Sequence, residues 1–175
     1  RLHHLRNDEA QEWSSFPEQA EASSLELSFT LPGTPVASTL RLRQQDVKQT
    51  WKVFVNGTMI NKLQQDENDM VRYLAVPASV LQAGKNQLTV STDSTRGPDD
   101  IRVGEISLFD QPRAVVLSEA EVTIRVVDSD GTAIPCRLTI LNQSGALTAV
   151  GAQSSTTLAV RPGVVYTANG LARLG

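Results

Sequence analysis

Apolar residues in this chain recur with a period of two, and that alternation restricts it to β-structure. Leu25, Leu27, Phe29 and Leu31 alternate with Glu26, Ser28 and Thr30, while Val122, Ile124 and Val126 alternate with Thr123 and Arg125. Successive side chains on a strand point to opposite faces, so each run places one face in a core and the other in water. Punctuation is dense: Pro32-Gly33-Thr34-Pro35, Asn56-Gly57, Asp128-Ser129-Asp130-Gly131 and Pro162-Gly163 each interrupt a run. Short strands with turns about every 8–12 residues, and no long helical pattern, predict an all-β chain of stacked sheets.

Trp51-Lys52-Val53-Phe54-Val55 is the most β-prone segment. It ends at Asn56-Gly57, the pair favoured by a type I′ hairpin turn because both central residues take positive φ, and Met59 to Leu63 supplies the return strand. A strand from Met70 to Val76 follows the acidic loop Gln65 to Asp69, and Pro77 to Gly84 suits one helical turn closed by glycine. Asn86 to Ser91 and Ile101 to Phe109 complete a first module over residues 25–111, with Gly104 placed for a bulge. Asp110-Gln111-Pro112-Arg113 reads as a linker, and a second module spans 112–175. Residues 1–24 are polar, with Trp13 and Phe16 as their only aromatic anchors. They read as a leader, either carrying a short helix over 7–13 capped by Asn7 or Asp8 or strapped over a sheet edge by the two aromatics.

Composition excludes several function classes. Hydrophobic residues at 40% supply a core, and 20% charged residues are too few for a disordered chain. The net charge is −3 and the basic residues are scattered, which argues against a nucleic-acid partner. Cys136 is the single cysteine, so neither an internal disulfide nor a thiolate metal site can form, and it reads as a small buried hydrophobe. No apolar run approaches the roughly 18 residues of a membrane-spanning helix. His3 and His4 are the only histidines, adjacent and terminal, so neither a histidine metal centre nor a histidine-assisted nucleophile is expected.

Two stretches resemble known families. Trp51-Lys52-Val53-Phe54-Val55-Asn56-Gly57, with the later Leu81, Gly84-Lys85-Asn86 and Leu88-Thr89-Val90, resembles the galactose-binding-like jelly roll of carbohydrate-binding modules and of sugar-binding domains in glycoside hydrolases. Val122 to Ile140, with its Asp128-Ser129-Asp130-Gly131 turn, resembles the opening hairpin of carboxypeptidase-regulatory-like, or transthyretin-like, domains. With Arg161-Pro162-Gly163-Val164-Val165-Tyr166-Thr167 the combination is similar to the N-terminal region of bacterial CehA/McbA-type metallohydrolases. The resemblance implies a jelly-roll β-sandwich followed by a partial immunoglobulin- or transthyretin-like sandwich, cut short at Gly175 before its last strands and before any catalytic domain.

Candidate ligand contacts follow from that implication. Sugars are held by an exposed aromatic that stacks on the ring and by polar side chains that bond the hydroxyls. Trp51 and Tyr73 are the candidate platforms, with Asn56 and Arg102 as candidate polar partners, while Phe29, Phe54 and Phe109 read as core. Trp51 is also in phase with Val53 and Val55, which favours a core position for it. The acidic loop offers hard oxygen ligands, so Asp66, Glu67 and Asp69, joined by Asp99, form a candidate calcium site; a solvated turn is the plainer reading.

The expected function is that of a non-catalytic, extracytoplasmic accessory region of a larger hydrolase that binds carbohydrate. Its start at Arg1 fits a removed signal peptide or a trimmed end. The alternative is a protein–protein interaction or assembly module, whose open sheet edge recruits the catalytic domain of its parent or another copy of itself.

Overall fold

The computed structural model describes residues 1–175 and is built almost entirely of strands. Strands β1 (Leu2–Arg6), β2 (Leu25–Leu31), β3 (Ser38–Gln45), β4 (Lys52–Val55), β5 (Thr58–Lys62), β6 (Met70–Val76), β7 (Gly84–Ser91) and β8 (Asp100–Phe109) form the first sandwich. One of its sheets runs β2-β7-β4-β5; the other begins β1-β8-β3-β6. The predicted alternation is obeyed: Leu40, Leu42, Val53, Val55, Leu74, Val76, Leu88, Val90, Ile101 and Val103 point between the sheets around a fully buried Trp51. Phe29 packs against this core, but Phe54 lies on the opposite face from Val53 and Val55, and Phe109 is exposed.

The turn chemistry follows the sequence closely. Asn56 and Gly57 both take positive φ, 49° and 77°, and join β4 to β5. Pro77 leads into a single 3₁₀ turn, Ala78–Val80, whose cap is Leu81; Gly84, at φ 87°, instead opens β7. The β3–β8 register shifts between Arg41 and Arg43, opposite Gly104 to Ser107, so the anticipated bulge is present. Gly104 is required there because the backbone of Arg1 lies where a Cβ would project.

The leader differs from expectation. Residues 2–6 form a full edge strand, β1, paired antiparallel with β8, and His4 is buried rather than frayed. No helix forms over 7–13. A polar knot explains this: Arg6 donates from Nε to Asp100 (2.7 Å) and from its two Nη groups to the carbonyls of Glu18 (2.9 Å) and Pro17 (3.0 Å). Asp100 also meets the His4 ring at 2.5 Å and accepts the Glu12 backbone N–H at 2.7 Å. Buried ionised groups must be paired and hydrogen-bonded, so the chain wraps around Arg6 and Asp100 instead of coiling. Phe16 is buried in that wrap, whereas Trp13 remains 53% exposed.

The second module holds a short helix, α1 (Arg113–Val116), and strands β9 (Val122–Arg125), β10 (Cys136–Thr139), β11 (Leu147–Thr148), β12 (Leu158–Arg161), β13 (Val164–Thr167) and β14 (Leu171–Leu174). Cys136 is only half-buried, at the start of β10. β10-β13-β12 and β14-β9 make two small sheets around Val165, Ala172 and Leu174. β14 was not apparent from the sequence; it pairs with β9 from Leu171 opposite Arg125 to Leu174 opposite Val122. The linker does not separate the modules cleanly, because β11 leaves the second and adds in parallel to β6 of the first, completing the sheet β1-β8-β3-β6-β11.

Candidate functional site

The residues singled out in the sequence do not converge. Trp51 lies in the core, where its indole N–H donates to Asp99 Oδ2 at 2.8 Å, so it offers no stacking surface. Asn56 is spent on the hairpin: its Nδ2 donates to the Val80 carbonyl (2.9 Å) and to Asn86 Oδ1 (2.8 Å), and its Oδ1 accepts from the Gln87 N–H (2.9 Å). Tyr73 is half-buried in β6 opposite Arg41, on the other sheet from Asn56. The Arg102 guanidinium lies over the Phe16 ring at 4.2 Å and faces Asp46 at 3.7 Å, pinning the N-terminal wrap.

The four acidic candidates are likewise dispersed. Asp99 is fully buried and accepts from the backbone N–H groups of Lys48 (3.3 Å) and Gln49 (2.9 Å) as well as from Trp51. Asp69 is gripped bidentately by Arg43, Nε at 2.8 Å and Nη2 at 2.5 Å, and this contact holds its carboxyl below the ordinary carboxylate range. Asp66 Oδ1 accepts both the backbone and side-chain N–H of Asn68, at 2.9 and 2.7 Å, and Glu67 is exposed. No three His, Cys, Asp or Glu side chains gather around a point where an ion could sit.

A different site appears where the modules meet. The segment from Gln64 to Asp69, between β5 and β6, with Met70 at the start of β6, faces the outer surface of the β10-β13-β12 sheet across a cleft of about 860 Å³. That size lies within the range of small-ligand sites. Its first wall is held rigidly. The buried Gln44 carboxamide accepts from the Gln64 N–H at 3.0 Å and donates to the Gln64 carbonyl at 2.6 Å. Val47 and Asp66 exchange backbone bonds of 3.1 and 2.7 Å.

The second wall is read from strand register. On β13, Val164 and Tyr166 share the outward face while Val165 and Thr167 point inward. Tyr166 is opposite Arg137 on β10 and Ala159 on β12; Val164 is opposite Thr139 and Arg161. The tyrosine is 45% exposed, with the small Ala159 leaving one flank open and Arg137 bordering the other. The cleft floor is the β6–β11 pair, tied by the Leu147 N–H to the Asp69 carbonyl at 2.8 Å. Gly163, at φ 70°, is needed because a Cβ there would overlap Leu147. An aromatic face, unpaired hydrogen-bonding groups and fixed walls equip this cleft to hold a polar ring compound.

None of the cleft's second-wall residues was among the sequence-derived candidates. Sequence offered no signal for Tyr166, because each face of Val164-Val165-Tyr166-Thr167 carries a valine and alternation does not say which is buried; the structure turns Tyr166 outward. Among curated proteins, none matches the chain significantly. Residues 14–97, a little under half of the chain and including β2 to β7, match the family of the second all-β domain of β-galactosidases, so the first sandwich is similar to a glycosidase accessory β-domain.

Proposed function

We propose that this chain is a non-catalytic accessory region of a larger, extracytoplasmic hydrolase and that it holds carbohydrate in the cleft between its two modules. The observation that carries the reading is the exposed Tyr166 ring set among polar side chains on a preformed wall. The similarity of residues 14–97 to a β-galactosidase β-domain supports it. So does the likeness of the second module's opening hairpin to those preceding CehA/McbA-type catalytic domains. Affinity electrophoresis through gels containing neutral and acidic polysaccharides tests it. Retardation by at least one polymer, lost in Tyr166→Ala, is expected; free migration through every gel would overturn it.

A second reading rests on a separate surface. Val116, Leu117, Val122, Ile124, Ile140, Val150 and Leu174 border an apolar hollow of about 370 Å³ beside the two-stranded β14-β9 sheet. Val122 and Leu171 are 54% and 48% exposed, and each strand of that sheet has a free edge. Free edges beside uncovered apolar surface recruit strands, which suits docking onto a catalytic domain or a second copy. Sedimentation velocity separates these occupants, since self-association gives a concentration-dependent dimer and docking on another domain leaves a monomer.

A further inference from the structure

The cleft's charges are unevenly spent. Asp66, Asp69, Arg137 and Arg161 line it, but the Asp69 carboxylate is paired with Arg43, which also binds Glu105, and one Asp66 oxygen is occupied by Asn68. Arg137 and Arg161 are exposed and neither has a carboxylate within 4.0 Å. They sit two strands apart on the same face, on either side of the row that carries Val164 and Tyr166. With strands about 4.8 Å apart and residues i and i+2 nearly 7 Å apart, their Cα atoms are roughly 12 Å apart diagonally across the tyrosine. In a chain whose net charge is −3, this wall is locally positive.

We infer that the cleft selects an acidic glycan, a chain of uronate-bearing sugars, with one ring on Tyr166, its carboxylates on Arg137 and Arg161, and its hydroxyls on the Asp66–Asn68 wall. Planar guanidinium groups bind carboxylates through two parallel charge-assisted bonds, a fit that neutral sugars cannot exploit. With Cα atoms roughly 12 Å apart, the two arginines can reach carboxylates on different residues of the chain. The opposite wall, with a carboxylate and carboxamides, accepts and donates to hydroxyls. This inference rests on the reading that the cleft holds carbohydrate.

Calorimetric titration with α-1,4-linked trigalacturonate and α-1,4-linked galactotriose tests it, because the two differ only at the carboxylate. Trigalacturonate should bind roughly tenfold or more tightly than galactotriose. The preference should shrink in Arg137→Gln and Arg161→Gln, and as salt rises from low to molar concentration. Both arginines are exposed and unpaired, so the variants should keep the parent melting temperature. Equal or tighter binding of galactotriose would overturn the acidic class while leaving carbohydrate binding in place. Binding of neither trisaccharide would overturn the acidic class as well, and retardation by neutral polysaccharides in the gel assay would then decide whether the wider reading survives.

Discussion

Trp51→Phe separates a core tryptophan from a sugar platform. The side chain is 0% exposed, and its N–H meets Asp99, a carboxylate equally buried that has only the Lys48 and Gln49 N–H groups as further donors. Losing a hydrogen bond to a charged acceptor costs about 1.5–3 kcal/mol. Phenylalanine is smaller by roughly 35–40 Å³, and an unfilled cavity of that size adds about 0.9 kcal/mol. The expected loss is therefore about 2.5–4 kcal/mol, which lowers the urea midpoint by about 1–2 M for an m-value near 2 kcal/mol/M. Far-UV circular dichroism follows the transition without depending on tryptophan emission. Glycan retardation of the folded variant should match that of the parent. A loss under about 1 kcal/mol, or reduced glycan retention with stability intact, would refute the placement of Trp51 as a core strut.

The pH dependence should have a definite sign. Burial raises the Asp100 carboxyl, but the Glu12 N–H, His4 and Arg6 outweigh it and leave it below its ordinary value of 3.8; Arg43 does the same for Asp69. Carboxyls depressed in the folded state contribute stability above their unfolded value and lose it as pH falls through the folded one. Burial raises Asp46, which contributes in the opposite direction, against the depressed carboxyls of Asp69, Asp100, Glu21 and Asp93. Urea midpoints should hold from pH 7 to about 5 and fall below about 4; a flat profile would count against the Arg6–Asp100 knot. Calcium at millimolar concentration should leave the melting temperature within about 1 °C, since Asp69 and Asp99 are already engaged, and a rise of several degrees would restore the acidic loop as an ion site. Gly163→Ala forces a side chain into a left-handed conformation and against Leu147, so it should cost about 1–3 kcal/mol and expose the β6–β11 junction to amide exchange. Unchanged protection there would mean the junction does not depend on that glycine.

The first sandwich was legible because its information is local. Period-two alternation fixes which face of β2, β3, β4 and β7 is buried, and Asn56-Gly57 fixes a hairpin register without reference to distant residues. The leader was not legible for the opposite reason. Leu2-His3-His4-Leu5-Arg6 has no clean alternation, and two of its polar side chains are buried by partners nearly a hundred positions away. A strand that buries charge is identified by the partner of the charge, which sequence spacing does not disclose.

The same distinction governs the cleft. Phase in β4 puts Trp51 with Val53 and Val55, whereas in β13 a valine stands on each face and only the packing of Val165 into the core turns Tyr166 outward, where a ligand can reach it. What phase cannot supply is the facing wall. That wall arises because two residues, Leu147 and Thr148, pair in parallel with Met70 and Val71 across a sequence gap of more than seventy positions. So short a pairing has no pattern of its own, yet it fixes the loop carrying Asp66 and Asn68 opposite the sheet carrying Arg137, Arg161 and Tyr166. A recognition surface divided between modules depends on their docking, and ligand affinity should therefore track the integrity of the β6–β11 pair as closely as it tracks the residues of the cleft.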